Sequence, residues 1–433
     1  MSCDDFINTI SLFIFRSNAR GMQYGIGTYI HELTQALLKF PDINIYLITY
    51  NSVDVREFSI EELSGRYHEI RIPGTLFQAT QNNRFEKKYA ASVVRLVSDL
   101  IPKKGQVIFQ FNYIDDLPVI QRFKEFYDYP RISIVHFAHW QQIFDGNKRR
   151  LIGLNIDKPG NNIEYTLSQE KEMYRLSDHI VSVTWYMKDF LVSEYGIKPD
   201  IISVIKNGLN HNKHDFVSEA ERSEIKRRLG FGEDEIIILF SGRIDPCKGV
   251  IFLMEAFEQA CRKNIDLRLI LLGQGSIQDC QNKTQSFFGK VTYTGFLPKE
   301  TVSSFYKIAD IGIAPSVYDH CPYTVLEMMA NRIPLILSRI NGLDELLSDD
   351  QCLFINPVIS SEGDIIFNIE ELSGAMLTLA GDKNLRTRFA ENSYRSFLRK
   401  FAASRMADEM HKFFYSLINR KKPAIEYEKS ERR

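Results

Sequence analysis

What this chain of 433 residues lacks narrows its function first. It has no excess of one charge, since Lys plus Arg is 54 and Asp plus Glu is 55. A dedicated nucleic-acid binder carries a basic surplus, so nucleic acid is excluded as a principal partner. No apolar run approaches the ~18 residues of a membrane-spanning helix. The run Ile10 to Phe15 is short and follows Asp4 and Asp5, so it reads as a first core strand and not a signal peptide. The six cysteines (Cys3, Cys247, Cys261, Cys280, Cys321 and Cys352) have no paired spacing, which fits a reduced, cytoplasmic setting. There is no Asp-x-Asp of the metal-dependent transferase kind, no His-Glu-x-x-His, no Cys-x-x-Cys and no Gly-x-Ser-x-Gly elbow. No metal site, no resident cofactor and no serine hydrolase is therefore expected.

What is present is the composition of an ordinary globular protein, 44% hydrophobic and 25% charged, long enough for two domains. Short apolar runs alternate with amphipathic stretches, the pattern of α/β folds with parallel sheets. In the first half the strands are expected near Thr9–Phe15, Ile43–Thr49, Gln106–Phe111, Ile132–Phe137, Ile180–Thr184 and Ile201–Val204, with helices such as Tyr29–Leu38 and Arg84–Leu100. The strands stop around Asn207-Gly208-Leu209-Asn210, where a linker follows. The pattern restarts with strands at Ile236–Phe240, Leu267–Leu272, Val291–Thr294, Ile311–Ala314 and Leu335–Leu337, and helices at Val250–Arg262 and Thr324–Ala330. Helices at Ile369–Ala380, Leu385–Lys400 and Ala403–Ile418 close the chain before a charged tail that reads as disordered. The expectation is two Rossmann-like parallel-sheet domains, residues 1–210 and 211–402. Residues 403–420 form a final helix and 421–433 a tail.

The most informative segment is Asp319-His320-Cys321-Pro322-Tyr323-Thr324-Val325-Leu326-Glu327. A loop leaving a parallel strand carries one carboxylate, and a second follows eight residues later on the helix it enters. Helix N-terminal N–H groups suit a phosphate, and carboxylates accept hydrogen bonds from sugar hydroxyls. Upstream, Gly242-Arg243-Ile244-Asp245-Pro246-Cys247-Lys248-Gly249 places two cations where strand ends converge, the usual ligand crevice of an open α/β sheet. Arg grips phosphate bidentately and Lys adds a compact charge. Solvated loop charges would look the same. Gly273-Gln274-Gly275 and Thr294-Gly295-Phe296 end the next strands as turns or close ligand approaches.

Taken together, these stretches resemble the retaining glycosyltransferases of family 4, which have the GT-B fold. The resemblance extends through Ile333-Pro334 and Asn341-Gly342-Leu343-Asp344-Glu345, and Asn207-Gly208 matches the turn closing the first domain. It implies hexose transfer from a nucleoside diphosphate sugar to a hydroxyl of a glycan, lipid-linked or peptide acceptor. Arg243 and Lys248 match the pair that neutralises the donor diphosphate, Glu327 the acid that holds the ribose, and Asp319 the acid that faces the donor sugar. Asp319 departs from the family's usual Glu by one methylene, and Cys321 to Thr324 lacks the glycine many members have there. The N–H groups of Tyr323 and Thr324 remain for phosphate.

In the first half, Arg20-Gly21-Met22-Gln23-Tyr24-Gly25-Ile26-Gly27-Thr28 leaves strand one, with Ile30 where a dinucleotide fingerprint needs glycine. The resemblance sets this glycine loop against the donor phosphate and acceptor. His136, in Val135-His136-Phe137-Ala138-His139-Trp140, matches the family's histidine better than His139 does, and Trp140 either stacks on a sugar or packs. The implied catalytic set is Asp319, His136, Arg243 and Lys248. The implied donor-binding set is Gly25, Gly27, Arg243, Lys248, Gly273, Gly275, Phe296, Tyr323, Thr324 and Glu327. The basic stretches Arg84 to Lys88 and Lys148 to Arg150 read as solvated faces and leave open a peripheral contact with anionic lipid at the inner membrane face. A non-hydrolysing sugar-nucleotide epimerase or a catalytically silent sugar-nucleotide-binding protein would share many of these features.

Overall fold

A computed structural model describes residues 9–17, 25–52, 54–74, 83–210, 217–263, 266–276, 278 and 287–419. Arg20 to Tyr24, the segment His211 to Lys213 and the tail 421–433 lie outside the described residues.

The first sheet has eight strands: β1 (Ile10–Ser17), β2 (Ile43–Ser52), β3 (Ser59–Ser64), β4 (Tyr67–Pro73), β5 (Gln106–Phe111), β6 (Arg131–Val135), β7 (His179–Ser182) and β8 (Ile202–Val204). Their order is β3-β4-β2-β1-β5-β6-β7-β8, parallel throughout except at the β3/β4 edge. Strands of a parallel sheet are covered on both faces, so they read as continuous apolar runs. β1 sends Phe13 and Phe15 into one layer with Phe109, Phe111 and Phe123. Ile10, Leu12 and Ile14 enter the other, against Tyr29, Leu33 and Leu37 of helix Gly25–Leu37. β3 escaped the sequence reading because Ser-Ile-Glu-Glu-Leu-Ser is exposed along its whole length and leaves no buried stripe to detect.

The second sheet comprises β9 (Ile236–Ser241), β10 (Leu267–Leu272), β11 (Val291–Gly295), β12 (Ile311–Ala314), β13 (Leu335–Ser338) and β14 (Leu353–Ile355), all parallel in the order β11-β10-β9-β12-β13-β14. An antiparallel hairpin, β15 (Pro357–Ile359) and β16 (Ile365–Phe367), follows it. Two crossings join the units side by side. Leu209 N donates to Phe401 O at 2.8 Å, and Ala403 N donates to Leu209 O at 3.0 Å. Gly208 is required there, because a Cβ would lie 2.8 Å from both Ala402 O and Met406 Cβ. The last helix, Ala403–Asn419, then packs on helix Gly25–Leu37, burying Met406, Met410 and Phe414. His411 Nε2 lies 2.9 Å from Asp42 Oδ2, and Tyr415 Oη donates to the same oxygen at 2.6 Å. Among the described residues no helix is long and apolar enough to cross a membrane.

Candidate active site

The strand ends of the second sheet build a compact charged locus. β9 delivers Ser241, Gly242 and Arg243, and a single 3₁₀ turn, Pro246–Lys248, follows. Asp245 caps that turn by accepting from Lys248 N at 3.2 Å. Gly249 ends it at φ 69°, with a hypothetical Cβ only 1.9 Å from Pro315 O. No other residue lets the 243–249 loop lie this close to the end of β12. The approach brings Lys248 Nζ to 2.6 Å from Asp319 Oδ2. Burial opposes the charge on Lys248. The Asp319 carboxylate more than offsets that, and the ammonium's pKa stands raised above 10.5. Arg243 pairs with Asp245 at 3.2 Å and keeps a half-exposed guanidinium. Beneath them Cys247 has its thiol pushed up to about 12, first by burial, so it stays protonated.

Glu327 sits on the next helix, Tyr323–Ala330. Tyr306 Oη donates to Glu327 Oε2 at 2.6 Å and lies 2.9 Å from Ser241 Oγ, which ties the carboxylate to the end of β9. Sequence reasoning missed Tyr306. It sits on helix Lys299–Ile308 among core positions, and nothing local marks its hydroxyl as functional. Tyr323 and Thr324 are the first two helical residues, whose N–H groups have no acceptor within the helix. The phenol of Tyr323 points away from this locus. It is buried with Tyr29 and Glu32 of the first unit among its electrostatic neighbours, so only its backbone could serve a ligand.

The glycine turns at 273 and 275 close on the chain itself. A Cβ on Gly273 would fall 1.9 Å from Gly242 O, and one on Gly275 2.0 Å from Ile244 O. The close approach these glycines allow is to the neighbouring loop, whose Ile244 N donates to Gln274 O at 2.9 Å. They hold the 242–244 loop against the 273–275 loop. Phe296 is 61% exposed beyond β11 and is not drawn into the charged locus. Gly25 and Gly27, expected in a loop, lie inside the first turn of helix Gly25–Leu37, which begins four residues earlier than Tyr29. The apolar repeat marks only where packing starts, and the exposed first residue carries no such signal.

His136 follows β6. Burial pushes its pKa down to about 3, so it is a neutral imidazole. Its Nε2 lies 3.5 Å from Asn112 Oδ1, and Tyr29 meets its ring edge-on at 4.8 Å. No contact joins it to Asp319 or Lys248 among the described residues; the link runs through Tyr29 towards Tyr323. His139 is a structural ligand of Glu170, which accepts from its backbone N at 3.1 Å and contacts its Nδ1 at 2.8 Å. Trp140 packs, stacked on Phe190 at 5.5 Å. Lys148, Arg149 and Arg150 are exposed, as a solvated face requires, and each also has a protein partner. Lys148 pairs with Glu194 at 2.7 Å, Arg149 donates to Ser361 O at 2.6 Å and Arg150 pairs with Asp364 at 3.3 Å. The last two tie the first unit to the β15–β16 hairpin.

Other contacts hold the two units together at the site. Glu345 accepts from Trp185 N and Tyr186 N at 2.9 and 2.8 Å, capping a helix of the first unit. His320 Nε2 lies 2.7 Å from Gln141 Oε1, with Tyr186 stacked on its ring. Asn207 Nδ2 donates to Cys321 O at 2.8 Å, where Cys321 holds φ 49°. Beside this seam runs a cleft of about 260 Å³, lined by Trp140, Gln141 and Tyr186 on one side and Tyr318, Asn341 and Ile365 on the other. No cluster of three or more His, Cys, Asp or Glu able to hold a metal occurs among the described residues.

Two family models match the chain, one described as Glycosyltransferase Family 4 over residues 24–213 and one as Glycosyl transferases group 1 over residues 221–396. Alpha-D-kanosaminyltransferase of Streptomyces kanamyceticus is 30% identical over 199 residues, 45% of this chain and 49% of that protein. Mannosylfructose-phosphate synthase of Agrobacterium fabrum is 25% identical over 353 residues, 76% of this chain and 74% of that protein. The chain thus spans about half the length of the first relative and more of the second. Among solved structures, sucrose-phosphate synthase from Thermosynechococcus elongatus superposes with a TM-score of 0.74 at 17% identity, covering 94% of this chain and 99% of that one. Anabaena HepE in complex with UDP and glucose gives 0.68 at 15% identity, with 94% and 99% covered. At such identities the likeness speaks for the fold alone.

Proposed function

We propose, from the premise that this chain belongs to the group 1 transferases of glycosyltransferase family 4 and has the GT-B fold, that it moves a hexose from a nucleoside diphosphate sugar to an acceptor hydroxyl with retained configuration. The observation that carries this reading is the 2.6 Å contact of Lys248 Nζ with Asp319 Oδ2, which makes one locus of the cationic loop and the acidic segment. Breaking a glycosidic bond to a diphosphate sends negative charge onto the leaving phosphates. Arg243 and Lys248 meet that charge as it develops, and the N–H groups of Tyr323 and Thr324 add a helix N-terminus. Glu327, fixed by Tyr306 and Ser241, accepts from the ribose hydroxyls. His136, neutral, faces the donor sugar from the first unit as a hydrogen-bonding group and not as a cation.

The acceptor, a glycan, lipid-linked or peptide hydroxyl, enters by the cleft between the units, and the contacts across the seam exclude water that would otherwise hydrolyse the donor. The chemistry needs no resident metal or organic cofactor. We place the reaction in the cytoplasm, at the inner membrane face when the acceptor is lipid-linked. The testing experiment is a thermal-shift screen of nucleotide sugars followed by product analysis. A donor that binds only the folded protein raises the melting temperature. A product of retained anomeric configuration supports the reading; an epimerised nucleotide sugar, or binding with no turnover, contradicts it.

A further inference from the structure

We propose that Asp319 is a positioning residue that acts on the reaction through Lys248, and does not work by gripping the donor sugar. Three protein donors converge on its carboxylate. Lys248 Nζ is 2.6 Å from Oδ2, Ser316 Oγ is 3.3 Å from the same oxygen, and His320 N is 3.1 Å from Oδ1. Asp is one methylene shorter than Glu, and that length sets its oxygens at the lysine. The backbone around it is held from several sides. Ser338 Oγ donates to Ser316 O at 2.6 Å. Gly342 passes so close that a Cβ there would lie 2.2 Å from Asp319 O. His320 is anchored across the seam on Gln141 Oε1 at 2.7 Å. Loop 316–321 is thus fixed by both units, and Asp319 passes that order to the side chain that meets the leaving phosphates.

The surroundings of Lys248 give the role a measurable signature. From its own loop it faces Arg243 and Cys247; from the 316–321 loop it faces Asp319 and, through it, the neutral His320. Burial and Arg243 both act against its charge, and Asp319 is the carboxylate that opposes them. Without Asp319 the ammonium loses its proton more readily, so its pKa falls.

This inference rests on the donor-site reading above, and two measurements separate their failures. The first is a double-mutant cycle of Lys248→Met and Asp319→Asn. It is read as nucleoside diphosphate release from UDP-glucose, UDP-N-acetylglucosamine, GDP-mannose and ADP-glucose. Asp319→Asn is expected to lower kcat about ten- to fifty-fold with KM within about three-fold, and to change kcat less than about two-fold when Lys248 is already Met, since residues acting as one unit are non-additive. Asp319→Glu should recover part of the loss. An equal loss in both backgrounds, or a raised KM with kcat preserved, overturns the inference while leaving the site. Full turnover in Lys248→Met overturns the donor-site reading itself. The second measurement needs no substrate. The Lys248 side-chain resonance, assigned by its disappearance in Lys248→Met, should titrate at lower pH in Asp319→Asn than in wild type; an unchanged midpoint overturns the proposal. Should Asp319→Asn fail to fold, Ser316→Ala, which removes one support of the carboxylate, gives a smaller change in the same direction.

Discussion

The loop edges of the two sheets face one another and handle polar groups in opposite ways. On the second sheet, Arg243, Lys248, Asp319 and Glu327 stand partly open near adjacent strand ends, Arg243 paired with Asp245, Lys248 with Asp319, and Glu327 accepting from Tyr306 Oη. On the first sheet the polar side chains are knotted into the protein. Glu170, buried, holds His139 and accepts from Tyr195 Oη at 2.5 Å. Asp116, buried and raised to about 7 chiefly by burial, accepts from the N–H groups of Asn112 and Tyr113 at 2.8 and 3.0 Å. The lesson is a division of labour. In the proposed reading the second edge keeps its charge for a ligand; the first edge uses polarity to fix its own loops.

The strongest way to break this contrast is Lys248→Ala. Transfer is expected to fall about a hundred- to a thousand-fold, the scale of losing one charge-stabilising donor, while the melting temperature, followed by differential scanning calorimetry, stays within about 3 °C. An equal loss of folding would make the lysine structural. Glu170→Gln should do the reverse. A buried carboxylate with three partners is costly to disturb, so chemical denaturation should show a loss of about 2–3 kcal/mol, with kcat per folded molecule nearly unchanged. Glu327→Gln sharpens the picture on the second edge. It should raise the donor KM about ten-fold with a smaller change in kcat, as expected for a ribose contact made equally in ground and transition states. Tyr306→Phe should follow in the same direction, by less.

The smallest expected effect is with pH. Burial holds His136 at about 3 and His320 at about 4, against an ordinary 6.5. Both bind protons more readily when unfolded, so the stability they contribute is present above about 6.5 and is lost as pH falls towards those values. At pH 5.5 each should cost about 1.3 kcal/mol relative to neutral pH. His320→Gln should flatten that slope in equilibrium unfolding; an unchanged slope would mean that the imidazole is solvated.

The same contrast explains what the sequence made legible. The two parallel sheets could be read because strands such as Ile-Ile-Ile-Leu-Phe in β9 must be apolar on both faces. Arg243, Lys248, Asp319 and Glu327 could be read because charges at strand ends stand out locally. Tyr306, Gln141 and Glu345 could not, because each acquires its role from a contact more than twenty residues away in the chain. The glycines at 273 and 275 were visible, but whether the close neighbour was a ligand or the chain itself depended on where the 242–244 loop ran. Lys148 to Arg150 read as a solvated face and are exposed; their partners could not be read, because Glu194 and the hairpin that Arg149 and Arg150 grip lie far along the chain.

The central claim is that loop 243–248 and segment 319–327 hold one nucleoside diphosphate. Isothermal titration of UDP, GDP and ADP into wild type, Lys248→Ala and Glu327→Ala tests it most directly. The account expects one of these nucleotides to bind wild type and to lose at least about ten-fold in affinity with each substitution. A nucleotide that binds wild type and is indifferent to both substitutions, or no binding at millimolar concentration, would contradict it.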